Sequence, residues 1–283
     1  MFTMVKWGRI ICMDEHLYLP DTNQLSVLAA TIMLAYALTP FVRLPETNLV
    51  LRLPFAVFEF TLSFNTIVSV LTALLAAVGT DWLLRSHPHR EGANLWLHVL
   101  LPALTAWAIG VPLTTLAIGP QWWAVFAMGG VLLVLVFIAE YIVVDFQDSR
   151  HGLATIGLTA LSFALYLILA IVARTGSLRL YLLLPLLVGP LALVCLRTLY
   201  LRAGSGWFFT WTFGIVAVTG EVVIGLQYLP LSPLAYGLIL TGLAYGLTSV
   251  AGSIVEGRAW PGLLIEPAFV MGFLWLLAVV VKV

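Results

Sequence analysis

Charge is what this sequence has least of. Asp, Glu, Lys and Arg make up 9% of its 283 residues, where an ordinary soluble domain carries about 25%, so no extended water-facing surface can be built from it. Thirteen basic residues balance thirteen acidic ones. The basic residues are scattered, which removes the electrostatic footprint of a nucleic-acid-binding protein. Cysteine is nearly absent too: Cys12 and Cys195 are the only two, one in the N-terminal segment and one inside an apolar run. That excludes a disulfide framework and a Cys-rich metal site. Long polar stretches are also missing, so no soluble domain interrupts the chain.

What is there is hydrocarbon. Hydrophobic residues make up 62% of the chain and the mean hydropathy is +1.08. Apolar runs of about 20 residues recur along nearly the whole sequence, each able to cross a hydrocarbon layer of about 30 Å as a helix. The sequence predicts an all-α, polytopic transmembrane helical bundle of nine spans, with eight or ten as alternatives. The spans fall at about 25–42, 60–84, 95–118, 122–145, 152–174, 179–200, 208–229, 233–255 and 261–282. Residues 1–24 form an N-terminal polar or interfacial segment and 25–283 one membrane domain. Asp14, Glu15 and Asp21 beside Lys6 and Arg9 make a poor signal-peptide n-region. The first apolar segment is therefore expected to stay as the first span, although Ala35-Tyr36-Ala37 imitates a cleavage site. The stretch NLVLRLPFAVFEF, 49–61, alternates and contains Pro54; it reads as an interfacial or re-entrant piece.

Orientation follows from Lys and Arg on alternate sides of the nine spans. The N-terminal side holds Lys6, Arg9, Arg85, Arg90, Arg150, Arg197, Arg202 and Arg258, against Arg43, Arg52, Arg174, Arg179 and Lys282 opposite. This bias predicts a cytoplasmic N terminus and an outside C terminus. Trp82, Trp96, Trp207, Trp211 and Trp260 gather at one predicted boundary and Trp122 with Trp123 at the other, as an aromatic belt requires.

Against this background the intramembrane polar residues stand out. Glu140 lies in FIAEYIVVDFQD, Arg197 in LVCLRTLYLR, Glu221 in AVTGEVVIGLQY and Glu266 in LLIEPAFV. The predicted spans put all four in one half of the bilayer, with Glu221 the deepest carboxylate. A lone buried charge is costly, so one reading is a clasp in which the Arg197 fork ties helices together through carboxylates. The other is a proton or cation relay, or a polar pocket for a headgroup.

Other candidates are narrower. His98, in NLWLHVLLPAL, sits in apolar company beside Trp96, where a neutral imidazole could ligate the metal of a (bacterio)chlorophyll or haem. Asp145 and Asp148 stand three apart in DFQDSRHG and could hold a magnesium-diphosphate, as the aspartate-rich loops of nine-helix prenyltransferases do. The chain resembles those enzymes only in size and helix number; Asp81 stands alone in GTDWLLRSHPHR and no second aspartate-rich motif follows. Paired intramembrane-protease motifs are absent. Gly242 and Gly246, extended by Ser249 and Ser253, form a small-residue stripe at helical spacing, a device for close helix packing.

Three stretches, FTLSFNTIVSVLTALLAAVGTDWLLRSHP, FIAEYIVVDFQDSRHGLATIGLTALSFALYLILA and SIVEGRAWPGLLIEP, resemble an uncharacterised family of polytopic membrane proteins of Chloroflexota, the green non-sulfur bacteria, over most of the chain from about residue 45 onward. The resemblance carries no activity and assigns no residue a role. It implies a setting in which reaction-centre and light-harvesting helices assemble. The expectation is a non-catalytic accessory or scaffold subunit of a membrane complex, in the narrower reading a photosynthetic one. Its partners would be membrane lipids and other transmembrane helical subunits, with no nucleic acid. No cofactor is fixed by the residues; a bound lipid, a quinone, or a bacteriochlorophyll or carotenoid stays open. The alternatives are a transporter or ion-coupled channel built on the Glu/Arg cluster, and an enzyme acting on a lipid or prenyl substrate.

Overall fold

The computed structural model describes residues 20–42, 47–53, 56–62, 64–86, 95–145, 149–176, 179–203, 208–257 and 262–281. Among them are nine α-helices: α1 (Thr22–Leu38), α2 (Phe64–Arg85), α3 (Leu95–Thr115), α4 (Pro120–Val143), α5 (His151–Thr175), α6 (Leu180–Ala203), α7 (Phe209–Gln227), α8 (Pro233–Val255) and α9 (Gly262–Val281). Eight are long and apolar enough to cross a membrane, and α3 adds a shorter apolar stretch, Leu97–Leu113. The architecture is an all-α polytopic bundle.

Local chemistry sets where these helices begin. The Asp21 carboxylate accepts the Asn23 amide at 2.9 Å and opens α1. Ser232 accepts the Ala235 amide at 3.3 Å, with Pro233 in the first turn of α8. Both are N-caps that satisfy amides a helix start leaves without partners. At the start of α4 the turn is made by Gly119 and Pro120, proline suiting a position whose N–H would have no acceptor.

One segment departs from the helical expectation. Within the stretch 49–61, read as an interfacial or re-entrant piece, the described residues lie in two antiparallel strands, β1 (Thr47–Leu53) and β2 (Ala56–Leu62), paired from Thr47 with Leu62 to Leu53 with Ala56. The alternation was a strand period. It claims residues 60–62 for β2, so α2 begins at Phe64.

The bundle has two halves and a seam. Leu28, Ile32, Tyr36, Leu83, Leu133 and Phe137 form the core of α1–α4. Tyr166, Leu187, Leu191, Leu199, Tyr236 and Leu240 form that of α5–α8. A third cluster, with Leu97, Leu101, Val136, Leu158, Leu196 and Tyr200, draws on α3, α4, α5 and α6 and joins the halves. The last helix, α9, packs chiefly on α8. Adding a Cβ at Gly242 would bring it within 3.2 Å of Trp275 and 3.3 Å of Leu274, and at Gly246 within 3.2 Å of Met271. These two glycines are what lets α9 approach. Hydrogen bonds tie helix ends in the alternating order a serpentine chain requires. Arg174 at the end of α5 donates to Gln227 and Leu229 at the end of α7, and Arg202 at the end of α6 donates to Glu256 just past α8.

Candidate functional site

The seam holds a charged knot. Glu140 on α4 is 0% exposed, and Arg197 on α6 and His98 on α3 are each 2% exposed. Arg197 Nη2 donates to Glu140 Oε1, and the other carboxylate oxygen lies 3.0 Å from His98 Nδ1. The rest of the guanidinium is held as well. Its Nε donates to the Leu97 carbonyl at 2.9 Å and its Nη1 to Ser162 on α5 at 3.3 Å, while Ser162 itself donates back to the Leu158 carbonyl at 2.7 Å. Four helices from both halves therefore meet on one arginine. With no water-accessible face, the knot is suited to holding helices in register, because each charge is compensated only while all four stay in place.

His98 enters this knot through its Nδ1. Here the ring is enclosed and edge-on to Tyr200, with centroids 6.3 Å apart. Its depth was the available signal: it lies one turn into α3, level with Glu140 and Arg197 near the ends of their helices.

Glu221 and Glu266 do not join them. Measured along α7, Glu221 is about 18 Å from Phe209 but only about 9 Å from Gln227 at 1.5 Å per residue, and α7 runs opposite to α6. This corrects the placement of all four groups in one half of the bilayer: Glu221 lies toward the other side, and it faces outward, exposed on the bundle surface. Glu266, also exposed, accepts the Tyr245 hydroxyl at 2.8 Å.

Glu266 borders a cavity of about 470 Å³ between α5, α6, α8 and α9. Arg202 sits in its wall, donating from Nε to Glu256 at 2.6 Å, from Nη1 to the Ser249 carbonyl at 3.2 Å and hydroxyl at 3.4 Å, and from Nη2 to Ser253 at 3.3 Å. The small-residue stripe of α8 thus has two uses: Gly242 and Gly246 receive α9, while Ser249 and Ser253 receive Arg202. In the sequence Arg202 stands out only by its charge. Serines four apart, one turn before Glu256, were the signal that an arginine would dock there.

The remaining candidates lie apart from these groups. Asp148 is outside the described residues; Asp145 is half-buried just after α4, its amide donating to the Ile142 carbonyl at 3.2 Å. Asp81 pairs with Arg85 at 2.5 Å on α2. Among the described residues no three His, Cys, Asp or Glu side chains come together as metal ligands. A second, apolar cavity of about 370 Å³ lies between α1 and α4, lined by Met33, Phe126 and Gly130 among others.

Residues 44–281 match the family described as a protein of unknown function, DUF5656. No curated protein and no solved structure matches the chain.

Proposed function

We propose that this chain, which belongs to the DUF5656 family, is a non-catalytic integral membrane subunit that receives a transmembrane helix of a different protein on the outer face of α7. Glu221 carries this reading. Carboxylates within a bilayer almost always face a bundle interior or a partner, because leaving one against lipid costs about 2.5–3.5 kcal/mol or more. In the single chain Glu221 faces outward.

The rest of that face is built for approach. Gly214, Val218, Glu221 and Gly225 recur at helical spacing and are all exposed, and a Cβ at Gly214 or Gly225 would meet nothing within 4 Å. Small residues around a polar group let a neighbouring backbone come close enough to hydrogen-bond it. A second copy apposed on the same face would set Glu221 against Glu221, a like-charge contact. The fitting occupant is a helix carrying lysine, arginine or a hydroxyl or amide donor at this depth. The narrower photosynthetic setting rests on the resemblance to Chloroflexota proteins alone. A transport reading calls for a watered cavity reaching Glu221, and the two cavities described above are lined by other residues.

Gentle extraction from the native membrane followed by native mass spectrometry tests this. The subunit reading expects a partner in fixed stoichiometry that is lost in Glu221→Leu while the thermal unfolding midpoint holds. A wild-type protein that leaves the membrane as a monomer overturns it.

A further inference from the structure

We infer that the cavity between α5, α6, α8 and α9 binds the head of a zwitterionic aminophospholipid, its phosphate at Arg202 and its ammonium at Glu266. The position is the first argument. Arg202 is the last residue but one of α6, Glu256 follows the end of α8, and Glu266 lies about 6 Å into α9 at 1.5 Å per residue. All three belong to the same side of the bundle, at the level where lipid headgroups sit.

The second argument is the charge balance. Arg202 and Glu256 neutralise each other at 2.6 Å, both largely buried, and Glu266 adds a carboxylate held by the Tyr245 hydroxyl. Among the described residues that line the cavity, one arginine faces two carboxylates, with His151 the other titratable group in the wall, and this disfavours an anionic head. It suits a ligand that brings its own cation as well as an anion. Arginine has five N–H donors, and the four bonds of Arg202 leave at least one on Nη2 for a phosphate oxygen. The buried Thr155 hydroxyl oxygen, also in the lining, has no hydrogen-bond partner among the described residues.

The third argument is size and lining. At about 470 Å³ the cavity falls in the range of about 300–1,000 Å³ of small-molecule sites, enough for a headgroup and its glycerol but not for two acyl chains. Ile156 and Ala160 line it and are exposed on α5, so chains can leave along an apolar outer wall. A free, chainless phosphoethanolamine would share the polar contacts and lose this wall.

The test uses the full chain in mixed micelles or nanodiscs with phosphatidylethanolamine or phosphatidylglycerol of identical chains, read by native mass spectrometry, with a third arm of O-phosphoethanolamine alone. Expected is at least fivefold greater retention of phosphatidylethanolamine than of phosphatidylglycerol. Glu266→Gln should bring the two within twofold without moving the thermal unfolding midpoint, and Thr159→Trp, which fills the cavity, should displace both. Equal or better retention of phosphatidylglycerol by the wild type overturns the assignment, as does an unchanged preference in Glu266→Gln. Binding of O-phosphoethanolamine as tight as the lipid overturns the lipid source. If Glu266→Gln does not fold, the wild-type preference and its loss in Thr159→Trp decide.

Discussion

Glu140 and Arg197 come from opposite halves of the bundle and meet buried at the seam, the carboxylate on α4 and the guanidinium on α6. Because His98 takes the second carboxylate oxygen and Leu97 and Ser162 take the remaining arginine bonds, this single pair fixes the seam between the halves.

Removing one partner should therefore cost more than removing both. Arg197→Ala strands Glu140 and is expected to destabilise the bundle by about 3–5 kcal/mol. The double substitution Glu140→Gln with Arg197→Met should cost clearly less than the sum of the two single changes. Arg197→Lys, which keeps the charge but loses the bidentate reach to Leu97 and Ser162, should fall between. Thermal unfolding in detergent reads each of these variants. An Arg197→Ala protein as stable as wild type would remove the clasp from the account.

Packing of α9 on α8 gives a ranking. Gly242→Leu pushes into Trp275 and the Cβ of Leu274, whereas Gly246→Leu meets the flexible Met271 side chain. Overpacking of this kind costs about 1–3 kcal/mol, and methionine yields more readily than a tryptophan ring. Gly242→Leu should therefore lower the unfolding midpoint more than Gly246→Leu. The reverse order would mean that α9 is held elsewhere.

From the basic-residue bias the expected orientation has the end of α2 in the cytoplasm and the end of α7 outside. In a variant with Cys12 and Cys195 replaced by serine and alanine, a membrane-impermeant thiol reagent should label Tyr228→Cys in intact cells and Arg85→Cys only after permeabilisation. Both native residues are exposed. The opposite pattern would invert the topology.

The helices were legible in the sequence because a run of about 20 apolar residues has few alternatives. The rotation of each helix was not. A soluble helix reveals its inward face by where its polar residues stop. A span touching lipid on one side and protein on the other is apolar all round, so nothing marks the face. That is why the sequence shows the depth that Glu140, Arg197 and His98 share, whereas which way each side chain turns, above all the outward turn of Glu221, could not be read. Depth itself failed for Glu221, since nearness to the end of α7 decides its side. The strand pair 47–53 and 56–62 was visible as alternation and hidden by the apolar runs around it.

Glu221 on the open face of α7 remains the centre of the functional account, and a photocrosslinker tests it where it matters, in the native membrane. With a benzophenone amino acid at Val218, on the same stripe and exposed, the account predicts one discrete adduct with a transmembrane segment bearing a basic or hydrogen-bond-donating residue. That adduct should vanish in Glu221→Leu and be absent from the same probe at Leu135, exposed on α4. Lipid adducts alone at Val218, or a protein adduct indifferent to Glu221→Leu, would contradict it.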